Sequence, residues 1–188
     1  VFAGTNNESP RDQGKKGDRG VVMCLDEKTG NLNWQLVIPK LGAGKVSDWE
    51  YIGVCSSPAI EGNRVYVVTN KCEVVCLDLE GFSNGNDGPF LDEASYVKPK
   101  GTQDELNEKL DADIIWMYDM RDQLGVFPHN VTSSSPLIIG DSLFVSDLDI
   151  PSKITIVTDS ESLVVAVNAP KVESSDELLG SSEDNNSE

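Results

Sequence analysis

Short apolar runs alternate with polar turns along most of the chain. The runs are only a few residues long and rich in Val, Ile and aromatic residues, and segments rich in Gly, Asn and Asp separate them. Runs of this length and composition, bounded by such residues, are typical of β-strands joined by hairpin turns. The pattern predicts an all-β chain.

The strand pattern repeats. Residues 22–26 (Val-Met-Cys-Leu-Asp) return as residues 74–78 (Val-Val-Cys-Leu-Asp) and, more loosely, as residues 164–168 (Val-Val-Ala-Val-Asn). After the first copy comes Glu-Lys-Thr-Gly, in which Asp26 and Gly30 have the residue types of a tight turn. Internal repetition of this kind decides the architecture more than any single strand does.

A second element repeats in register with the first. Residues 56–60 (Ser-Ser-Pro-Ala-Ile) return as residues 134–138 (Ser-Ser-Pro-Leu-Ile), each followed by a Gly turn and a β-rich run. Trp34 and Trp116 each follow the Cys-Leu-Asp strand of their own repeat. The unit is thus four short antiparallel strands. Recurrence of one such unit favours the blades of a β-propeller over a sandwich or a jelly roll.

Two segments depart from the repeat. An insertion at about residues 81–112 separates the second Cys-Leu-Asp strand from Trp116, and within it Thr102 and Glu105 have the spacing of a capping box, which predicts a short surface helix. The segment 171–188 is acidic and poor in apolar residues, which predicts disorder. We expect a partial propeller over residues 1–170, about two and a half blades of an incomplete ring, followed by this tail.

The charge balance excludes some partners. The 188 residues carry 15 Lys and Arg against 32 Asp and Glu, a formal net charge of −17. Nucleic-acid binding needs clustered Lys and Arg, and so does attachment to an anionic membrane surface. The apolar runs are also too short to span a bilayer. We expect no nucleic acid and no membrane span.

One copy of the repeat closely resembles a known family. Residues 24–34 (Cys-Leu-Asp-Glu-Lys-Thr-Gly-Asn-Leu-Asn-Trp) are similar to the repeat of the pyrroloquinoline-quinone-like (PQQ-like), quinoprotein-type β-propellers, in which Ala-Leu-Asp, Thr-Gly and Trp recur in each blade. Residues 18–21, 55–58 and 125–130 agree with that likeness, which covers about residues 1–146. Such rings have about six to eight blades. The resemblance therefore implies a fragment of a larger ring.

The resemblance implies an extracytoplasmic protein, periplasmic or extracellular, that serves as a binding or scaffold module. Its partners would be envelope proteins or a small ligand at the propeller axis. The alternative is part of a quinoprotein-like oxidoreductase, a PQQ-dependent alcohol or sugar dehydrogenase in which Ca²⁺-bound quinone accepts hydride. Generic carbohydrate or ligand binding at the axis is a third hypothesis, which rests on fold analogy alone. We lean towards a protein that is not an enzyme, because no redox motif is found.

In a propeller, ligands gather where the chain leads into the innermost strand of each blade. This places the candidate ligand-face residues in two segments: Asp48, Trp49, Glu50, Tyr51, His129 and Asn130. Two of these are acids with the chemistry of a cation ligand or a base, and the histidine is the only one in the chain. Each also has a plainer interpretation as a solvated or packing residue. No catalytic residue is assigned. No metal site is predicted, because the spacing of residues 84–88 does not match that of a calcium-binding loop.

The four cysteines have separate predicted roles. Cys24 and Cys76 occupy equivalent strand positions and are expected to be small buried hydrophobic residues. Cys55 and Cys72 should lie at the same face of the blade and form a possible disulfide in an oxidising compartment. In the quinoprotein alcohol dehydrogenases of the family that the chain resembles, two neighbouring cysteines form a disulfide. This sequence has no neighbouring cysteines, which argues against bound quinone. The two repeat tryptophans are expected to pack between blades.

Overall fold

Antiparallel β-sheets dominate the chain. The computed structural model describes residues 1–138, 142–144 and 163–166, and the chain divides into two compact units, Val1–Leu137 and Ile138–Glu188. Among the described residues, strands far outnumber helices, which are few and short. The predicted all-β class is confirmed.

The first sheet has three strands in the order in which they follow along the chain. They are β1 (Phe2–Asn6), β2 (Gly20–Leu25) and β3 (Leu32–Ile38). Both neighbouring pairs are antiparallel. β2 and most of β3 are buried, which agrees with their nearly continuous apolar sequence.

A tight turn joins β2 to β3 as the sequence predicts. The carboxylate of Asp26 accepts hydrogen bonds from the backbone N–H of Thr29 (2.8 Å) and of Lys28 (3.1 Å), and from the hydroxyl of Thr29 (2.7 Å). Gly30 follows with φ of 70°. A residue without a Cβ adopts this left-handed conformation at little cost, so the Thr-Gly pair suits the turn.

The second sheet has four strands in the order β4–β5–β6–β7. They are β4 (Ala59–Glu61), β5 (Arg64–Val68), β6 (Glu73–Asp78) and β7 (Ile114–Asp119), and each pair is antiparallel. Three of them coincide with strands predicted from the repeat, whereas β4 begins only after the Ser-Ser-Pro residues of the predicted strand at 56–60. The insertion lies between β6 and β7. The sheets are not closed into a ring.

Equivalent residues of the two repeats occupy equivalent positions. Cys24 lies opposite Trp34, and Cys76 lies opposite Trp116. In both sheets the register shifts directly after the cysteine. A shift of this kind increases the local twist, and its recurrence shows that the repeat extends to backbone geometry.

Each tryptophan also has an equivalent aromatic neighbour. Phe2 and Tyr66 lie opposite the two equivalent cysteines on the neighbouring strand. The ring centroids of Phe2 and Trp34 are 5.8 Å apart, and those of Tyr66 and Trp116 are 6.1 Å apart, both pairs tilted. Tilted rings at this separation are a favourable arrangement.

One hydrophobic core lies between the two sheets. Its buried side chains come from β2, β3, β5, β6, β7 and the insertion, and they include Val22, Leu36, Ile38, Val65, Val67, Val75, Leu77, Tyr96 and Ile114. Cys24 and Cys76 are buried thiols, so their predicted role as small hydrophobic residues is confirmed. Burial raises the pKa of Cys76 to about 11.

The two repeat tryptophans differ in how they are covered. Trp34 is 3% exposed, and its indole N–H donates a hydrogen bond of 2.8 Å to the carbonyl of Leu79, which follows β6. Trp34 therefore packs between the two sheets. Trp116 is 37% exposed, with Tyr66 beside it.

The insertion contains a short helix, but not where the capping box predicts it. A 3₁₀ turn (Gly81–Asn84) and helix α1 (Glu93–Tyr96) lie in its first half, whereas the segment around Thr102 and Glu105 has no helix. The Thr102 hydroxyl donates to the carbonyl of Pro99 (2.9 Å). The predicted helix position was wrong because local hydrogen bonds of Thr compete with helix formation.

Two further features lie near the ends of the second sheet. Helix α2 (Met120–Leu124) follows β7 directly, capped by the Asp119 carboxylate, which accepts from the N–H of Arg121 (2.9 Å). Cys72 lies in the β5–β6 turn, directly before β6, with φ of 64°.

In the second unit, β8 (Ser142–Phe144) pairs with β9 (Leu163–Ala166) in antiparallel fashion. Both lie in segments that the third, looser repeat predicts to be strands. In this pair Ser142 lies opposite Ala166. The tail at residues 171–188 lies outside the described residues.

No helix in the described part of the chain is long and apolar enough to cross a membrane.

Candidate functional site

The predicted ligand-face residues lie at one end of the two sheets. We call this end the loop face and define it by the segments 39–58, 69–72 and 125–135, with the β1–β2 loop (residues 7–19) beginning and ending there. These segments lie at the same end because neighbouring strands are antiparallel: β3, β5 and β7 end at this side, and β4 and β6 begin at it.

Asp48 is an anchor within the loop face. Its carboxylate is 2.7 Å from the Nζ of Lys40 and also accepts from the backbone N–H of Leu41. Lys40 donates further to the carbonyls of Trp49 (2.8 Å) and Ile52 (2.6 Å). Because the Asp48 side chain is 2% exposed, it is turned to Lys40 rather than to a ligand.

Trp49, Glu50 and Tyr51 project from the segment that Asp48 anchors. All three are exposed, Trp49 by 40% and Tyr51 by 63%. The Nζ of Lys45 lies 5.4 Å from the centroid of the Trp49 ring, a cation–π arrangement. The segment therefore presents two aromatic rings and one free carboxylate to solvent.

The two predicted segments meet in the structure. The backbone N–H of Trp49 donates to the carbonyl of Asn130 (2.8 Å), and the N–H of Asn130 donates to the carbonyl of Val46 (2.5 Å). His129, next to this contact, is exposed. Residues that the sequence assigned to two different repeats are thus joined at one place.

The backbone of Tyr51 is held from both sides. Its N–H donates to the carboxylate of Asp18 (3.0 Å), and its carbonyl accepts from the side-chain amide of Asn6 (2.9 Å). Tyr51 also has φ of 61°, a conformation that these two contacts help to maintain. The ring is consequently presented to solvent from a fixed backbone.

A cleft of about 470 Å³ lies beside Tyr51. Its walls combine one aromatic ring with amide and charged side chains, namely those of Asn6, Asn7, Glu8, Gln13, Lys16, Asp18 and Tyr51. Sequence reasoning missed the β1–β2 loop as part of the site. The long polar run at residues 6–19 was the signal that would have found it.

Cys55 and Cys72, the pair for which a disulfide is predicted, are both thiols here, Cys55 exposed and Cys72 buried. Cys55 lines a second cleft of about 690 Å³ along the start of β1. Cys72 is instead enclosed in the β5–β6 turn, where its N–H donates to the carbonyl of Thr69 (3.1 Å).

The described residues of the loop face do not fit PQQ with Ca²⁺. The four cysteines are separate free thiols, so the neighbouring-cysteine disulfide that the resemblance implies has no counterpart. The acid proposed as cation ligand or base, Asp48, is buried and neutralised by Lys40. The other acid, Glu50, is exposed.

Comparison with known proteins adds no relative. No family model matches the chain, and searches of the curated proteins and of the solved structures find no similar protein.

Proposed function

We propose that the chain is part of a PQQ-like β-propeller that serves as an extracytoplasmic binding module, with a small, neutral, polar ligand bound at the loop face. The observation that carries this proposal is the polar cleft between the β1–β2 loop and Tyr51, whose segment is joined to Asn130 by backbone hydrogen bonds. A polar loop and an exposed aromatic side chain that meet at a preformed cleft are typical of ligand sites at the ends of β-sheets. The compartment follows from the resemblance alone.

The propeller part of the proposal is supported by the two equivalent sheets. They share three antiparallel strands in the same order, the register shift after the cysteine and the tilted aromatic pair, and Trp34 packs one sheet on the next. In a ring of six to eight blades, neighbouring blades are related by a rotation of about 45 to 60°. A crystal structure tests this. Sheets stacked face to face without a common axis would contradict it.

The ligand class follows from the lining of the cleft. Amides and carboxylates pair with hydroxyl groups, and an exposed aromatic ring packs on the apolar face of a sugar ring. The chain as a whole is negative, with 32 acids against 15 bases, which disfavours anionic ligands. A mono- or disaccharide is the ligand that this chemistry favours.

Titration of the full chain with neutral mono- and disaccharides, followed by NMR chemical shifts, tests the binding site. We expect shifts at Tyr51, Asn6 and Asp18, and their loss in Tyr51→Ala. Tyr118→Ala is the matched control, because Tyr118 is an exposed tyrosine on β7. Shifts that persist in Tyr51→Ala, or no binding of any sugar, would contradict the proposal. Dye reduction with an alcohol in the presence of PQQ and Ca²⁺ would instead support the oxidoreductase.

A further inference from the structure

Three carboxylates converge at the end of the second sheet away from the loop face. Asp78 ends β6, Asp113 directly precedes β7, and Asp87 lies in the insertion between them. One carboxylate oxygen of each lies within 4.8 Å of the other two. Oxygens on opposite sides of one Ca²⁺ ion are about 4.6 to 5.2 Å apart, because each Ca–O distance is about 2.3 to 2.6 Å. The three groups are close enough to share one ion.

An unpartnered buried oxygen lies within this cluster. Asp78 and Asp113 are fully buried. The backbone N–H of Asp87 donates to Oδ2 of Asp113 (2.9 Å), but Oδ1 of Asp113 is buried and has no hydrogen-bond partner among the described residues. A carboxylate oxygen removed from water without a partner is strongly destabilising, and a cation supplies such a partner.

Positive charge around the cluster is scarce. The Nη1 of Arg64 is 2.7 Å from Oδ2 of Asp78. Glu93 adds a fourth buried acid nearby; its Oε1 has no partner among the described residues, and its Oε2 accepts from Asn86 (3.2 Å). Burial and the neighbouring acids raise the pKa of Asp113 to about 6. One guanidinium therefore faces several carboxylates.

The backbone holds Asp87 towards the sheet. At Gly88, φ is 84°, and a Cβ there would lie 2.5 Å from the carbonyl oxygen of Ile115 in β7. This close approach requires glycine. The carboxylate of Asp87 also accepts from the amide of Asn84 (3.1 Å). The loop thus places an acidic residue next to two that belong to the sheet.

We propose that Asp78, Asp87 and Asp113 bind one Ca²⁺ ion, with Glu93 as the adjacent acid. Carboxylate oxygens are the ligands of this hard cation, and it accepts the irregular geometry that a loop and two strand ends provide. The ion neutralises the buried carboxylates and fixes the first half of the insertion to the second sheet. Mg²⁺ needs near-ideal octahedral geometry and is expected to bind more weakly.

Calorimetric titration of the chelator-treated full chain with Ca²⁺ alone tests the proposal. We expect one site, and a rise of the unfolding midpoint by about 5 to 10 °C at one hundred times the dissociation constant. In Asp87→Asn we expect an affinity loss of at least about tenfold. Asp92→Asn, which removes an exposed carboxylate of the same insertion, is the matched control and should bind as the wild type does.

A second variant separates binding from folding. Asp113→Asn removes the unpartnered buried charge, so the variant should unfold at a higher temperature than the wild type without Ca²⁺ and gain less from Ca²⁺. Absence of a Ca²⁺-induced shift in the wild type, or unchanged affinity in Asp87→Asn, would overturn the proposal. Mg²⁺ binding as tight as that of Ca²⁺ would overturn the choice of ion.

Discussion

The two repeats share one strand framework but end their Cys-Leu-Asp strands in different ways. In both, the N–H of the aspartate donates to the backbone carbonyl that precedes the Trp strand: Asp26 to Asn31 (2.8 Å), and Asp78 to Asp113 (3.0 Å). In the first repeat the aspartate caps an exposed turn. In the second, the insertion covers the equivalent aspartate and adds further acids. The position that ends in an exposed turn in the first repeat therefore lies in a buried carboxylate cluster in the second.

The two repeat tryptophans also occupy equivalent positions but are packed differently. Trp34 is covered by the residues that follow β6, whereas the equivalent Trp116 is 37% exposed. The residue type and the local register are the same, so the sequence motif does not determine the burial. The neighbouring sheet determines the burial. We therefore expect the contribution of each tryptophan to the free energy of unfolding to depend on how far it is buried.

The largest expected effect separates these tryptophans. Trp34→Ala should lower the free energy of unfolding by about 4 kcal/mol, because it leaves a cavity between the sheets and removes the donor to Leu79. Trp116→Ala should cost about 1 kcal/mol, since its side chain is partly solvated. Urea unfolding followed by far-UV circular dichroism measures both. Equal losses would mean that Trp34 does not join the two sheets in solution.

A second prediction concerns the long segment that each repeat adds. The β1–β2 loop and the insertion are joined by the fully buried pair Lys15–Asp111, with Nζ 2.8 Å from Oδ2. Lys15→Met should cost about 3 kcal/mol, because it leaves a buried carboxylate without its cation. Lys16→Met, at an exposed neighbouring position, should be nearly neutral. Similar unfolding midpoints for the two variants in urea would show that the loop is not fixed to the insertion.

The equivalent turn glycines sharpen the comparison further. Gly30 and Gly81 have φ of 70° and 61°, but a Cβ meets nothing within 4 Å at Gly30, whereas at Gly81 it lies 3.0 Å from the Trp34 ring. Gly30→Ala should cost about 1 kcal/mol through backbone strain, and Gly81→Ala about 2 kcal/mol because the ring must also move. Thermal unfolding measures both. A larger loss at Gly30 would contradict the interpretation.

The sequence predicts features that depend on local patterns and misses those that depend on contacts between distant segments. The strands, the Asp26 turn and the four-strand unit depend on neighbouring residues, so alternation and turn residues were sufficient. The helix at Thr102 failed, in a segment where Asp104 is buried and pairs with Arg19 (3.4 Å) from the β1–β2 loop. The carboxylate cluster could not be predicted, because its members lie in two strand ends and a loop that no sequence spacing connects.

The smallest expected effect is on the reactivity of the cysteine thiols, and it involves no change in the stability of the fold. Burial raises the pKa of both equivalent thiols, Cys24 and Cys76, so near pH 8 they are protonated as well as enclosed. Cys72 is also buried. With an aromatic disulfide reagent at pH 8, the native protein should therefore react quickly at one thiol, Cys55, and at four after denaturation without reductant. Cys55→Ser should remove the fast phase.

Two reactive thiols in the denatured protein would instead mean that Cys55 and Cys72 form the disulfide that the sequence suggested. Rapid reaction of Cys24 but not Cys76 would show that the first sheet opens more readily than the second, which would locate the weaker half of the repeat framework.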